Sequence, residues 1–304
     1  MLLLDKPTGP SSKAVLQHAK RLLEARSAGH TGTLDPMASG LLVLCFGEAT
    51  KFSGAMLDAD KTYRARVRLG VRTSTGDAEG EPLESREPDV SREQLDSTLQ
   101  RFRGAIDQIP PMHSAIKHRG RPLYSYAREG ETIERAPRKV VIRELDLERR
   151  EGNDLYLRIA FSNGTYVRTL AEDIGAALGC GAHLAALQRT AVGPFTLDEA
   201  VTLDTLEALP GDARRERLLP METLVASRPR VMLDSAASSR FCQGQRIGTH
   251  AEQGAVAVFG SDVRFLGIGE ADADGVLQPK RLVQIRDAGA GREPLVEDTD
   301  LKIK

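Results

Sequence analysis

The chain has 304 residues, of which 40% are hydrophobic and 28% charged, and its formal net charge at pH 7 is −1. This composition is typical of a folded globular protein of about two domains and excludes a disordered chain. The longest apolar run, at 41–46, is far shorter than the about 20 residues that span a bilayer, and the four apolar residues at the start are too few for a signal peptide.

Three cysteines, Cys45, Cys180 and Cys242, are spread along the chain. Because their number is odd and none has a Cys or His at metal-ligand spacing, they argue against a disulfide framework and a zinc site. We therefore expect a protein of the reducing cytoplasm that holds no metal.

The near-neutral total charge conceals two segments of opposite sign. Residues 72–96 carry an excess of five negative charges, and residues 117–143 an excess of five positive charges. A basic segment of this kind can contact phosphates even in a neutral protein. On charge alone, a solvated strand-and-helix surface is the simpler interpretation.

The first elements in chain order are a helix, a loop and two strands. Ser11 and Ser12 precede an amphipathic pattern that predicts a capped helix to residue 23. Residues 27–40 break every periodicity and predict an irregular loop before an apolar strand at 41–46. Residues 61–69 alternate strictly, which places Tyr63 on the apolar face of a strand and three arginines on the wet face.

The following elements alternate between helices and strands. The acidic segment 72–90 predicts a surface loop, and Ser91 with Gln94 predicts a capping box for a helix to about residue 102. The other predicted elements are a turn and strand at 109–118, a short helix at 122–129, hairpin strands at 139–147 and 155–161, a helix from Gly164 to Leu178, and a strand at 183–192.

The pattern changes at Arg230, after helical patches interrupted by prolines. Short strands at 230–233, 255–259, 263–269 and 276–285, with a small helix near 235–243, predict a separate β-rich module. The predicted division is a first domain at 1–228, a second at 229–286 and a polar tail at 287–304.

The segment from Gly29 to Gly40 carries the strongest chemical signal. Its glycines permit backbone conformations that other residues avoid, and Pro36 favours an extended conformation at Asp35. A long irregular loop between a helix and a buried strand is unusual unless it is functional. The residues alone leave Asp35 open as a catalytic carboxylate or a turn cap, and they favour a His30 that bonds to the backbone.

The sequence Gly29-His30-Thr31-Gly32-Thr33-Leu34-Asp35-Pro36 closely resembles the signature loop of the bacterial tRNA pseudouridine-55 synthases, the TruB family. The resemblance extends over about residues 1–285. Two segments depart from the family pattern: Gln188 stands where many relatives carry a basic residue, and 73–77 is less acidic than the family version. Further matching segments, in order and spacing, are 2–9, 47–52, 60–64, 164–170, 179–184 and 187–189.

The resemblance implies an α+β fold. It consists of a catalytic domain built on a mixed, largely antiparallel sheet, followed by a small β-barrel-like RNA-binding domain of the PUA type. The second part of this match rests on Gly267-Ile268-Gly269 and Asp274-Gly275.

The implied activity is isomerisation of uridine 55 in the T-loop of tRNA to pseudouridine, after the base is flipped out of its stack. No cofactor is expected, because the reaction moves no electrons and loses no group. The implied partner is tRNA, contacted at its T-arm and, through Lys280 and Arg281 of the second domain, at its acceptor stem. The protein is expected to be a monomer.

The resemblance also implies roles for the matched residues. Asp35 is the catalytic carboxylate, ionised yet largely desolvated, with Arg168 as its cationic partner. Tyr63 and Tyr166 are aromatic walls for the uracil, and the Tyr63 hydroxyl is placed for a proton, whereas the hydrophobic pattern alone places both tyrosines in the core. The other implied substrate-binding residues are His30, which fills the space left by the base, Leu187, the apolar floor beneath it, Arg189, and Lys6, which with Pro7 also supports the loop.

Three other functions remain open at this point. One is that of the guide-dependent relatives, which modify ribosomal RNA inside a ribonucleoprotein. Another is a non-catalytic RNA-binding protein on the same scaffold. The third is a carboxylate-based nucleoside hydrolase, which would release free uracil.

Overall fold

The computed structural model describes residues 1–114 and 116–284, and the chain divides into two compact units, Met1–Ser227 and a second that starts at Arg228. Within these described residues, no helix is long and apolar enough to cross a membrane. The tail predicted at 287–304 lies outside the described residues.

The first unit contains fourteen strands and six α-helices among the described residues. The strands are β1 (Leu2–Lys6), β2 (Ala28–His30), β3 (Ala38–Phe46), β4 (Lys61–Leu69), β5 (Val71–Thr73), β6 (Pro82–Ser85), β7 (Gly104–Gln108), β8 (Lys117–His118), β9 (Arg121–Pro122), β10 (Arg138–Glu151), β11 (Asp154–Phe161), β12 (Ala182–Val192), β13 (Phe195–Thr196) and β14 (Val201–Thr202). The helices are α1 (Ser12–Leu22), α2 (Arg92–Arg101), α3 (Leu123–Arg128), α4 (Val167–Ala177), α5 (Leu203–Ala208) and α6 (Gly211–Glu216). Short 3-10 helices cover Gly47–Met56, Leu197–Glu199 and Met221–Val225.

Ten of these strands form one sheet, in the order β14-β1-β3-β12-β4-β11-β10-β7, with β2 beside β3 and β13 beside β12. The pairs β1–β14 and β3–β12 are parallel, and the other described pairs of this sheet are antiparallel. The predicted mixed, largely antiparallel sheet is confirmed.

The main core lies between one face of this sheet and the helices α2 and α4. The strict alternation in β4 turns Tyr63, Val67 and Leu69 inward, where they pack in one cluster with Leu170 and Ile174 of α4. The alternate residues of β4 face away from this core, as period two requires. The chain therefore presents an outer sheet face rich in arginine.

Two predicted helix starts are confirmed by their caps. The Ser11 hydroxyl accepts a hydrogen bond from the Ala14 N–H at 3.2 Å, and Ser91 with Gln94 forms the predicted capping box of α2. These local signals do not depend on tertiary packing, which is why the sequence alone reveals them.

Other predicted boundaries are wrong. The expected loop at 27–40 contains β2, which pairs with β3, and β3 begins at Ala38 rather than at residue 41, because pairing with neighbouring strands does not require an apolar run. The edge strand β7 is mostly exposed and gives no alternating pattern, so it was not predicted. Within 109–118, the described residues form a strand only at Lys117–His118.

The helix expected to open at Gly164 begins at Val167. Tyr166 precedes it in an extended conformation, with φ −110° and ψ 113°. The buried amide of Gln108 holds this residue by accepting from the Tyr166 N–H at 2.7 Å and donating to the Tyr166 carbonyl at 3.1 Å. A contact from a distant strand therefore sets the start of α4.

The second unit contains β15 (Arg230–Leu233), α7 (Ser235–Cys242), β16 (Ile247–Gly248), β17 (Gly254–Gly260), β18 (Phe265–Ala271) and β19 (Val276–Leu282). Its sheet has the order β15-β17-β18-β19-β16, with β15 and β17 parallel and the other pairs antiparallel. A cluster around Phe241, Val258 and Leu277 forms its core. The predicted β-rich module is confirmed, although its last strand ends at Leu282 rather than at residue 285.

Candidate active site

A cleft of about 650 Å³ opens in the first unit where the chain enters α4. Five of the predicted site residues line it: Asp35, Tyr63, Tyr166, Arg168 and Leu187. Asp35 comes from a loop, and Tyr63 and Leu187 come from the strands β4 and β12. Tyr166 and Arg168 come from the start of α4, so only the folded sheet brings the five residues together.

The loop that carries Asp35 is fixed by hydrogen bonds to its backbone. The Ser12 hydroxyl, at the start of α1, accepts from the Leu34 N–H at 2.8 Å and donates to the Leu34 carbonyl at 2.9 Å. The Gly9 N–H donates to the Pro36 carbonyl at 2.8 Å. The loop is therefore irregular in shape but held in one place.

Two buried cations support the same loop from inside the protein. The Lys6 ammonium donates to the carbonyls of Ala38 and Pro7, both at 2.8 Å, and burial lowers its pKa although the nearby Asp35 carboxylate opposes this. The Arg189 guanidinium donates to the Gly32 carbonyl at 3.1 Å and is 1% exposed. Lys6 and Arg189, both predicted as substrate-binding, thus point into the protein and hold the loop that carries Asp35, which is the supporting role also expected of Lys6.

Arg168, in the first turn of α4, binds two carboxylates at once. Its Nη2 lies 3.1 Å from Asp35 Oδ2 and donates to the His113 carbonyl at 2.8 Å, and its Nη1 lies 3.3 Å from Asp77 Oδ2. The predicted contact between Arg168 and Asp35 is present. The second carboxylate fixes the guanidinium from the opposite side, which restricts how it can present itself to Asp35.

The expectation that Asp35 is largely desolvated is wrong for the protein by itself. The Asp35 side chain is 47% exposed, whereas those of Arg168 and Asp77 are 10% and 4% exposed. Asp35 faces the open cleft, so any further desolvation has to come from a substrate that fills it.

Asp77 belongs to the segment 72–90, which the sequence predicts as a surface loop. Most of this segment is exposed, but it contains part of the β5–β6 hairpin, and Asp77 itself is buried. Its Oδ1 accepts from the Thr75 hydroxyl at 2.5 Å and from the Glu79 N–H at 3.1 Å, and the Ala78 N–H donates to the Leu184 carbonyl of β12 at 3.0 Å. The segment 73–79 is therefore a closed turn packed on the central sheet. The threonine two residues before the aspartate is the one local signal for it, because Asp and Thr side chains bond readily within turns.

Both tyrosines line the cleft, but only Tyr63 also belongs to the core. Tyr63 is buried and stacks on Phe161, with ring centroids 5.1 Å apart and an interplanar angle of 10°, yet it also lines the cleft. Tyr166 lines the cleft from the residue before α4, and burial raises the pKa of its phenol. Tyr63 thus forms cleft wall and core together, whereas Tyr166 is half-buried and lies outside the core cluster, so the hydrophobic pattern that places Tyr166 in the core is wrong.

His30 is the third predicted site residue, after Lys6 and Arg189, that does not line the cleft. It ends β2 opposite Leu44, and its Nδ1 accepts from the Gly32 N–H at 3.4 Å. Burial and the nearby Arg189 lower the pKa of its imidazole, so a neutral ring is expected near pH 7. Gln108, which holds the backbone of Tyr166, was missed because a single glutamine in an exposed strand has no distinguishing pattern.

Within residues 1–114 and 116–284, His, Cys, Asp and Glu side chains form no group of three that could hold a metal ion. The three cysteines are free thiols, and those of Cys45 and Cys180 are buried.

Comparison with known families agrees with the motifs in the catalytic loop. The model of the TruB family pseudouridylate synthase N-terminal domain matches residues 20–167, that of the tRNA pseudouridylate synthase B C-terminal domain matches 168–226, and that of the pseudouridine synthase II TruB C-terminal region matches 229–283. The fold, the cleft and these matches define a pseudouridylate synthase.

Named relatives make the assignment more specific. The chain is 55% identical over 291 residues to tRNA pseudouridine synthase B of Burkholderia mallei, and the match covers 93% of this chain and 96% of that protein. It is 50% identical over 301 residues to the protein of the same name from Nitrosospira multiformis, with coverage of 95% and 96%. This chain belongs to the TruB family, and the resemblance found in its motifs is confirmed.

Two solved structures share the fold. A Cbf5-Nop10-Gar1 complex matches with a TM-score of 0.71 and 28% identity, over 90% of this chain and 78% of that one. An H/ACA RNP bound to a substrate RNA containing 2′-deoxyuridine matches with a TM-score of 0.73 and 25% identity, over 94% and 85%. The second complex shows that a protein of this fold accommodates RNA.

Proposed function

We propose that this chain isomerises uridine 55 in the T-loop of tRNA to pseudouridine, with Asp35 as the catalytic carboxylate. Its family membership and the activity named for its relatives support the conversion of uridine in tRNA. The choice of uridine 55 and the role of Asp35 rest on the family motif and on the geometry of the cleft.

The observation that carries the proposal is the state of the two Asp35 oxygens. Arg168 engages Oδ2 at 3.1 Å, Oδ1 accepts no hydrogen bond from the part of the chain that the structure describes, and 47% of the side chain is exposed in the cleft, so Oδ1 is accessible to a substrate. The cleft volume of about 650 Å³ is ample for one nucleoside. A fixed carboxylate with one free oxygen is the arrangement that covalent or proton-transfer catalysis requires.

The reaction balances without any added group. The C1′–N1 bond of uridine breaks, the uracil turns, a C1′–C5 bond forms, and the proton on C5 leaves while N1 gains one. Asp35 can attack C1′, attack the base, or assist loss of the C2′ proton, and each route uses the same free oxygen.

Other residues of the cleft position the base. The Tyr63 ring offers a stacking surface already held flat by Phe161, and Leu187 lies beside it in the lining of the cleft. Extrusion of a stacked uridine costs a few kcal/mol, and stacking on an aromatic wall recovers part of that free energy.

The finer claims are part of the same proposal. We assign the T-arm to the first unit and the acceptor stem to the second, where Lys280 and Arg281 lie on β19. We also propose a monomer in the cytoplasm, which its free thiols and its tRNA substrate favour.

The test is tritium release from tRNA labelled at uridine C5. The protein should release one equivalent from a full tRNA transcript and from an isolated T-arm hairpin, and none from a transcript with cytidine at position 55. No release from the full transcript would contradict the activity, and release from the cytidine-55 transcript would contradict the chosen position. Activity on the bare hairpin separates this enzyme from guide-dependent relatives, and chromatography of the products would reveal free uracil from a hydrolase.

A further inference from the structure

A second groove, here called the outer groove, lies on the sheet face that points away from the main core. It has a volume of about 770 Å³, and its lining includes Arg64, Arg66, Arg149, Tyr156, Ala186 and Gln188. The strands β4, β11 and β12 form its floor, and none of the functional roles assigned above involves this face.

The register of the sheet creates the groove. Arg66 in the middle of β4 lies directly between Tyr156 of β11 and Ala186 of β12. Since Ala186 carries only a methyl group, it leaves a depression beside the long Arg66 side chain. The arginine is thus set into the sheet rather than extended from a loop, which limits the conformational entropy it loses on binding a ligand.

Arg66 differs from other arginines on this face because its charge is unused. Arg64 pairs with Glu148 at 3.3 Å, and Arg158 pairs with Glu144. The Arg66 Nε is inaccessible to solvent and has no hydrogen-bond partner among the described residues. A ligand does not reach this Nε, but Arg66 also forms no ion pair among the described residues and its side chain lines the groove, so the outer part of its guanidinium can contact an anion there.

The groove also has the right charge and surface for RNA. Its lining has three arginines and one carboxylate, Glu148, in a protein whose net charge is −1. Arg64 pairs with Glu148 and Arg149 pairs with Glu151 at 2.9 Å, so Arg66 supplies the positive charge that is left unpaired among the described residues. The Arg149 guanidinium lies over the Tyr156 ring at 3.7 Å, so a flat cationic surface borders the Arg66 position. Local basic grooves of this kind follow a nucleic-acid backbone in proteins that are neutral overall.

The outer groove continues from the catalytic cleft. Leu187 lines both, and Met37, two residues after Asp35, lines the groove. A strand whose uridine enters the cleft therefore has its neighbouring nucleotides within reach of the groove.

We propose that the outer groove binds the sugar-phosphate backbone of the substrate RNA beside the target uridine, with Arg66 as a phosphate contact. The inference rests on the proposed tRNA substrate. It adds a binding surface on the face of the sheet opposite the main core.

The test is the salt dependence of tRNA binding by the full chain. Loss of one phosphate contact in Arg66→Gln should raise the Kd for tRNA about 5–10-fold at low salt and reduce the slope of log Kd against log salt concentration by about one. Arg66→Lys keeps the charge and should keep most of the slope. The matched control is Arg158→Gln, which removes an equal charge from the same sheet face at an arginine already paired with Glu144, and should bind as the wild type.

Two outcomes overturn the proposal. One is an unchanged slope in Arg66→Gln, as expected if the groove instead serves an acidic protein partner. The other is an equal effect in Arg158→Gln, which would indicate a general charge effect. Failure of the proposed function is distinguishable, because it appears as absence of tritium release from the wild type, whereas the binding series tests the groove in either case.

Discussion

Arg168 joins two segments of the first unit that are built in different ways. The loop at 31–37 carries Asp35, and its backbone is held by the side chains of Ser12 and Lys6, which precede the loop in the chain. The turn at 73–79 presents Asp77, and its own Thr75 hydroxyl holds that carboxylate. The Asp35 side chain is 47% exposed and that of Asp77 is 4% exposed, although both contact the same guanidinium.

The difference distinguishes the carboxylate proposed as catalytic from a structural one. A buried carboxylate is tolerated only when its oxygens are hydrogen-bonded, and Asp77 meets that condition through Thr75, Glu79 and Arg168. Among the described residues, the Asp35 carboxylate contacts Arg168 through Oδ2, and its Oδ1 remains accessible from the cleft. The turn thus fixes Arg168, and Arg168 orients Asp35.

The largest expected effect is that of Asp35→Asn. We expect the rate of tritium release to fall about 10⁴-fold or more, because an amide can neither attack nor accept a proton. The free energy of unfolding should change by less than about 1 kcal/mol, because the side chain is half exposed. Single-turnover tritium release and urea unfolding measure the two quantities. A variant that keeps the wild-type rate would remove Asp35 from the catalytic role.

The next effect is that of Asp77→Asn. The amide can still accept from Thr75 but leaves Arg168 without its buried counter-charge, so the guanidinium loses its fixed direction. We expect a loss of about 10²–10³-fold in rate, which acts through Arg168, and a loss of about 3 kcal/mol in the free energy of unfolding. The same two assays apply. A full loss of rate with unchanged stability would contradict the distinction between the two aspartates.

These two segments also show what the sequence can and cannot predict. The loop at 31–37 was recognised because glycines, Pro36 and a family motif coincide within a few residues, and the alternation of β4 placed Tyr63 correctly. The turn at 73–79 was predicted as a surface loop because its polar composition resembles one. Its burial depends on backbone bonds to Leu184, more than a hundred residues away, and no local pattern encodes such a contact.

The same limit applies to two cations. Lys6 and Arg189 lie in family motifs, which imply substrate binding for both and, for Lys6, also support of the loop. The structure shows both beneath the catalytic loop, bonded to its carbonyls. A motif shows that a residue is important, whereas the packing determines whether its side chain faces the substrate or supports the loop.

A third prediction compares Gly40, in β3 just after the loop, with Gly76, within the turn. Gly40 has φ +100°, and a Cβ there would lie 2.3 Å from the Arg189 carbonyl oxygen, whereas a Cβ on Gly76, at φ +74°, would lie 2.7 Å from the Glu172 carboxyl. The Arg189 backbone cannot move to make room for a Cβ, whereas the end of the Glu172 side chain can. We expect Gly40→Ala to cost about 2–4 kcal/mol of unfolding free energy and Gly76→Ala about 1 kcal/mol.

Urea unfolding of both variants measures this difference. Gly130→Ala is the matched control, because Gly130 also has a positive φ, +78°, and a Cβ at that position would meet no atom within 4 Å. Equal costs for Gly40→Ala and Gly76→Ala would mean that the catalytic loop is no more rigidly seated than the turn.

The smallest effect concerns Glu172, whose carboxyl packs against Gly76 of the turn. Burial raises its pKa, and the neighbouring Asp173 raises it further, while Arg72 and Arg168 oppose the shift. Since the folded pKa exceeds the unfolded one, the stabilising contribution of the protonated form is present at low pH and is lost as the pH rises through the folded pKa. At neutral pH the ionised carboxylate therefore destabilises the fold.

Glu172→Gln should remove this pH dependence. The Tm of the variant should exceed that of the wild type by a small amount at pH 7–8, and the difference should shrink toward zero near pH 4. Thermal unfolding across this range measures it, with Glu216→Gln on the exposed surface of α6 as a control that should show no such trend. A variant that is less stable than the wild type at pH 7 would show that attraction to Arg168 and Arg72 outweighs burial. In that case Glu172 would be a third carboxylate that holds the arginine, and the turn would depend on charge as much as the catalytic loop does.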